Sequence, residues 1–198
     1  MDLSEARKKA AEIAQLLLDG AQLIGKRRLC DQSLFATLSV SMAAKKRDIN
    51  ALDPGIKEVI LFGSTARNEP GPGDIDLMVL DSGFYSNILC PEMARVRNRY
   101  GMLEDNLERM LDWFDFPTWT QEWLAIPVDL HVLPVKVITE MSVRSRIARQ
   151  HRDPQFFENA FSKIERYDAA TRSFVPTTEG ELQSKYRTAT AAPEVAHP

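Results

Sequence analysis

Ala6, Ala10, Ile13, Leu17 and Ile24 recur at helical spacing, so residues 2–24 are predicted to form a helix. Asp2 stands three positions before Glu5, a capping-box-like start, and Gly25 marks the expected stop. A second helix is predicted from about Asp31 to Arg47, with Lys45, Lys46 and Arg47 at the negative end of its dipole. Asp53-Pro54-Gly55 is a turn. The texture then changes. Val59-Ile60-Leu61-Phe62 is a continuous apolar run between that turn and Gly63-Ser64, which predicts a buried strand. A short helix is predicted over Thr65 to Glu69, and Pro70-Gly71-Pro72-Gly73 is a loop. Ile75-Asp76-Leu77-Met78-Val79-Leu80 is a second strand, ended by Asp81-Ser82-Gly83.

Pro91 opens a long predicted helix to about Trp113, with an apolar stripe through Met93, Val96, Tyr100, Leu103, Leu107, Met110 and Leu111. A loop with Pro117, Trp119 and Trp123 follows, and then a third strand, Val128-Asp129-Leu130-His131-Val132-Leu133. Two more helices are predicted near 138–151 and 154–166, the second burying Phe157, Ala160, Phe161 and Ile164. From about Pro176 the chain becomes small and polar and is expected to be loose. The pattern therefore divides into an N-terminal helical segment (1–50), a strand-bearing core with a helical insert (51–134), C-terminal helices (135–175) and a flexible tail (176–198).

Composition narrows the classes. At 198 residues and 44% apolar content the chain can bury a sizeable core, which excludes wholesale disorder. The 25 basic and 28 acidic residues leave a charge of −3, against the basic excess of a dedicated nucleic-acid coat. Cys30 and Cys90 offer neither a disulfide framework nor metal-ligand spacing. No apolar stretch approaches the roughly 18 residues that span a bilayer, and Met1-Asp2-Leu3-Ser4-Glu5 is not a signal-peptide start, so a cytoplasmic protein with no membrane partner is expected.

Three carboxylates stand where they are costly. Asp74 and Asp76 flank Ile75 at the start of an apolar strand, and residues i and i+2 of a strand share a face. Asp129 lies between Val128 and Leu130 in another strand. If those strands are neighbours, three like charges converge and raise one another's pKa values. A divalent cation relieves this, and Mg²⁺ prefers carboxylate oxygens together with substrate phosphates. Gly63-Ser64 precedes them, at the end of a strand and the start of a short helix. A glycine admits close approach of backbone to a ligand, and the Ser64 hydroxyl with neighbouring amides suits a phosphate. Arg67 adds positive charge. Each part has a plainer reading: Gly-Ser as a turn, Asp-x-Asp as a capped strand start, Asp129 as an edge residue. The order of the parts is what points to chemistry.

That order resembles the nucleotidyltransferase superfamily, which includes DNA polymerase β, kanamycin nucleotidyltransferase and the minimal nucleotidyltransferases. The residues are Leu61-Phe62-Gly63-Ser64-Thr65-Ala66-Arg67, then Gly73-Asp74-Ile75-Asp76-Leu77, then Val128-Asp129-Leu130, and the resemblance covers about residues 56–134. Asn68 stands where many minimal members carry glycine, and Gly73 replaces a common serine. The resemblance implies an α+β fold, a small mixed β-sheet core with flanking N- and C-terminal helices. It implies transfer of an NMP group from an NTP, ATP being the expected donor, to a hydroxyl on a protein, a tRNA or a small molecule. It further implies Asp74, Asp76 and Asp129 as catalytic residues and ligands of one or two Mg²⁺ ions, with Gly63, Ser64 and Arg67 at the phosphates. A second expectation is an antitoxin-like protein-binding module on the same fold, with a protein partner.

Other residues carry less. His131 shares a face with Asp129 and suits either a phosphate contact or orientation of Asp129. Arg144, Arg146, Arg149 and Arg152 form an acid-free run, read either as a solvated face or as a contact for triphosphate or RNA backbone. Lys136 is a further triphosphate candidate, and Arg95, Arg97 and Arg99 do not align at helical spacing.

Overall fold

Ala6, Ala10, Ile13, Ala14, Leu17 and Ala21 form one buried stripe along helix α1, Leu3–Arg27. Its small residues let the helix axis approach a sheet closely, and Ile13 and Leu17 supply the bulk of the apolar area. The structure is a computed structural model that describes residues 2–27, 53–86, 127–151 and 154–190. The helices predicted at 31–47 and 91–113, the Trp119–Trp123 loop, both cysteines, Arg95, Arg97, Arg99 and Arg152 lie outside the described residues.

Strand β1 (Ile56–Phe62) runs into a one-turn helix, α2 (Gly63–Ala66), and returns as β2 (Ile75–Asp81). Strand β3 (Val128–Pro134) follows, then α3 (Lys136–Thr139), α4 (Met141–His151) and α5 (Phe156–Phe161). The chain continues through β4 (Ile164–Asp168), β5 (Ser173–Thr177) and α6 (Glu179–Thr190). The five strands form one sheet in the order β3-β2-β1-β4-β5, with β2 and β3 parallel and the remaining pairs antiparallel. This is the α+β, mixed-sheet architecture expected, with helices on both faces.

The continuous apolar runs of β1 and β2 arise because both faces are covered. Val59, Leu61, Ile75, Leu77, Val79, Leu130 and Val132 face α1. Ile60, Phe62, Met78, Leu80 and Leu133 face the other way, onto Val137, Ile138, Ile147, Phe157, Ala160, Phe161 and Leu182 of the C-terminal helices. By strand alternation Asp76, Asp129 and His131 belong to this second face.

The short helix expected over Thr65 to Glu69 lies instead at Gly63–Ala66, ended by the left-handed Asn68, and the helix expected near 138–151 is split by the extended Glu140. Three larger expectations also change. Helix α1 passes through Gly25 to Arg27 instead of stopping there. The helix expected over 154–166 ends at Phe161, and Ile164 begins β4. Ile164 fits the helical register of Phe157 and Phe161, but it reaches the same core from a strand paired with β1. The segment read as C-terminal helices thus contains a β-hairpin, closed by an Asp168 Oδ1 that accepts from Ala170 N at 3.0 Å and by Arg172 at φ 52°. Finally, the region expected to be loose from 176 completes β5 and forms α6. That helix buries little apolar surface and is held by polar contacts that composition does not display. Glu58, buried on β1, accepts from Tyr186 Oη at 2.7 Å and pairs with Lys185. Glu179 pairs with Arg144, whose guanidinium lies over the rings of Phe157 and Phe161 at 5.0 and 5.4 Å.

Candidate active site

The antiparallel pairing of β1 with β2 sets Phe62 opposite Asp76, and the parallel pairing of β2 with β3 sets Asp76 opposite Asp129. Two carboxylates therefore stand side by side on adjacent strands, at the end where β1 turns into α2. Asp74 lies just before β2 and is exposed; Asp76 is half-buried; Asp129, on the outer strand, has a side chain 61% exposed.

Gly63 joins the turn to the acids. Its φ is +68°, and a Cβ there would lie 1.8 Å from Asp76 Oδ2. Only glycine meets both conditions, since a side chain is strained at this φ and collides with the carboxylate. The next residue, Ser64, has a buried hydroxyl with no hydrogen-bond partner among the described residues. A buried hydroxyl without a partner costs free energy, and this one belongs to the residue that follows the glycine packed against Asp76. Helix α2 is only one turn long and has little macrodipole of its own, so the Ser64 hydroxyl and the close approach of the Gly63 backbone to Asp76 define this corner of the site.

The carboxylates act on one another. Burial, and then the charges of Asp74 and Asp129, push the Asp76 carboxyl up to about 6, against the weaker opposing pull of His131 and Arg67. His131 Nε2 lies 3.2 Å from Asp129 Oδ2, near enough for an Nε2–H to donate to it. The imidazole is packed against Phe62 and Phe156, with ring centroids 5.7 and 4.8 Å away. Among the described residues no group of three or more His, Cys, Asp or Glu side chains is drawn together around one metal position. The donor set nevertheless suits a hard divalent cation: oxygen ligands, with Asp76 and Asp129 in register, and a mutual repulsion that a cation relieves.

The basic candidates separate. Arg67 is exposed, donates from Nε to Glu69 Oε1 at 2.5 Å, and is near enough to Asp76 to feel its charge. Arg144 is structural, committed to Glu179 and two phenyl rings. Arg149 Nε donates to Ser145 O at 3.2 Å, and Lys136 pairs with Glu140 at 3.4 Å. Sequence reading missed Arg7. It reaches from α1 to the turn after β1, and its position on a distant helix left no local signal.

The description Nucleotidyltransferase domain is that of a family model matching residues 44–158, more than half of the chain. No curated protein and no solved structure gives a significant match. No helix among the described residues is long and apolar enough to cross a membrane.

Proposed function

Since the chain belongs to the nucleotidyltransferase domain family, we propose that it is a Mg²⁺-dependent enzyme moving an NMP group from an NTP to a hydroxyl acceptor. The observation that carries this is the junction at Gly63: the backbone lies against Asp76 with no room for a side chain, and Ser64 beside it holds a buried hydroxyl in want of a partner.

Asp74, Asp76 and Asp129 are the residues to hold one or two Mg²⁺ ions. The chemistry that Mg²⁺ supplies when bound is neutralisation of triphosphate charge and a lowered pKa for the acceptor hydroxyl. Ser64 donates a hydrogen bond from its hydroxyl to a β- or γ-phosphate oxygen, and Gly63, lacking a Cβ, keeps the turn close against Asp76. Arg67 adds positive charge at the mouth. The Asp129 carboxylate takes the acceptor's proton, and His131 keeps that carboxylate oriented. The acceptor oxygen bonds to the α-phosphorus, the bond from that phosphorus to the bridging oxygen breaks, and pyrophosphate leaves with the electron pair. The protein's part is positioning and charge compensation. ATP is the donor to assay first. The acceptor classes are a protein hydroxyl, a tRNA end or a small molecule.

Incubation with α-labelled and γ-labelled NTPs, Mg²⁺ and lysate protein, RNA and small-molecule fractions tests the reading. Label is expected to move from the α position only, with wild type and not with Asp76→Ala. Equal behaviour of the two proteins in every fraction would reject it. Release of NMP without an acceptor would indicate a hydrolase instead.

A further inference from the structure

The Gly63–Ser64 turn is an unusual local conformation. Gly63 and Asn68 both occupy the left-handed region, at φ +68° and +59°. Around them the turn is closed by backbone bonds from Arg67 N to Gly63 O at 3.1 Å, Asn68 N to Thr65 O at 3.2 Å and Glu69 N to Ser64 O at 3.0 Å. A single helical turn does not hold itself, because nucleation costs more than the first bonds return. Something outside it has to.

Arg7 of α1 meets that need. Its Nη1 donates to Thr65 O at 3.2 Å and to Asn68 Oδ1 at 3.0 Å, and its Nη2 pairs with Glu165. Glu165 is buried on β4, opposite Leu61 of β1, two residues before Gly63. The guanidinium thus spans the turn from its helical end to the strand behind it. Its planar fork is suited to several fixed acceptors at once, which a lysine ammonium on a flexible stem is not. With Glu165 and the turn occupying it, Arg7 is a brace and not a ligand for phosphate. Arg7 and Glu165 both lie outside the 44–158 segment that matches the family.

We propose that Arg7 is a positioning residue for the triphosphate site: the N-terminal helix, through Arg7 backed by Glu165, holds the Gly63–Asn68 turn in the form that presents Ser64. The use of the turn for phosphate rests on the nucleotidyltransferase reading above; the brace itself does not. Asn68 takes part twice, adopting the left-handed conformation and offering Arg7 an acceptor.

The test uses the full chain with Arg7→Lys, Arg7→Met and Asn68→Gly, the last deleting the acceptor while keeping a residue at ease with positive φ. Amide hydrogen exchange at residues 64–69, denaturant unfolding, and kcat and KM for MgATP are measured on each. Arg7→Lys keeps the charge for Glu165 and is expected to retain global stability. Exchange at 64–69 is expected to speed up about tenfold as the turn opens locally. KM for MgATP is expected to rise about tenfold while kcat stays within about twofold, the signature of lost ground-state binding. Asn68→Gly is expected to move both readings in the same direction. Unchanged exchange at 64–69 in Arg7→Lys and Arg7→Met overturns the proposal. So does a uniform loss of stability with KM unchanged, which makes Arg7 a fold contact only. If wild type turns over no NTP, the functional reading fails, and the exchange data still decide the brace.

Discussion

Ser64 is under two opposed demands. Its buried hydroxyl has no partner among the described residues, which costs the free protein stability, and the proposed phosphate removes that cost when it binds. Ser64→Ala is therefore expected to leave the free protein as stable or up to about 1 kcal/mol more stable, while weakening NTP binding. Thermal unfolding and NTP titration on the same variant check this, and unchanged NTP affinity would count against the cradle. Asp76 behaves comparably. Its carboxyl is raised from 3.8 to about 6, so the fold favours the protonated form. Its contribution to stability is fully present below about 3.8, is lost as pH rises to about 6, and is absent above. Metal-free Asp76→Asn is expected to be about 1 kcal/mol more stable than wild type at pH 8, after solvent screening of this half-open site, and equal to it near pH 3.5. Unfolding curves at the two pH values decide it; a pH-independent difference would contradict the repulsion. Asp129→Asn is expected mainly to lower turnover, since it removes the proton acceptor and leaves the phosphate corner intact.

At the scale of elements, α6 is the informative case. It docks through Leu182 and through the Glu58 and Glu179 contacts rather than through a broad apolar face. Burial, and after it the bond to Glu58, pushes the Tyr186 hydroxyl above its ordinary range, so it stays a donor at any working pH. Removing both donors with Lys185→Met and Tyr186→Phe leaves the Glu58 carboxylate buried and without these partners. The expected cost is about 3 kcal/mol by urea unfolding. Further replacement of Glu58 by Leu is expected to recover most of that loss, because a packed apolar group needs no partner. Failure of that recovery would mean that the contacts specify the docking of α6 and do more than satisfy a charge.

For the whole molecule, ligand linkage is the direct reading. Mg²⁺ with an NTP at about 100 times its Kd stabilises a folded protein by about 2.7 kcal/mol. Wild type is expected to show a corresponding rise in Tm, and Asp76→Asn little of it. An antitoxin-like binding module predicts something else: a stoichiometric protein partner retained by Asp74→Ala. The local charge distribution follows the same division as the site. The net charge of −3 conceals three acids grouped at one end of the sheet, while Arg144 from the basic run is consumed inside the fold.

Much of the candidate site was legible in the chain because its parts are local. Apolar runs flanked by turn residues mark β1, β2 and β3 at sight, and the order Gly-Ser, Asp-Ile-Asp, Asp survives in one dimension since each part sits at the end of its own strand. The α1 stripe was legible for the same reason, as helical periodicity is written within one segment. Other features depend on contacts between segments far apart in sequence. Asp76 faces Asp129 only because β2 and β3 pair in parallel register, and Ile164 becomes a strand residue because β4 pairs with β1 on one side and, at Ile164 itself, with Thr177 of β5 on the other. Helix α6 looks like a solvated tail until Glu58 and Arg144 are seen to meet it, and Arg7 looks like any surface arginine until α1 is laid beside the turn. Local chemistry is encoded in short stretches of sequence; pairing of buried charges and bracing of strained turns come from the packing of distant segments, where the free energy of each contact depends on a partner that no local pattern names.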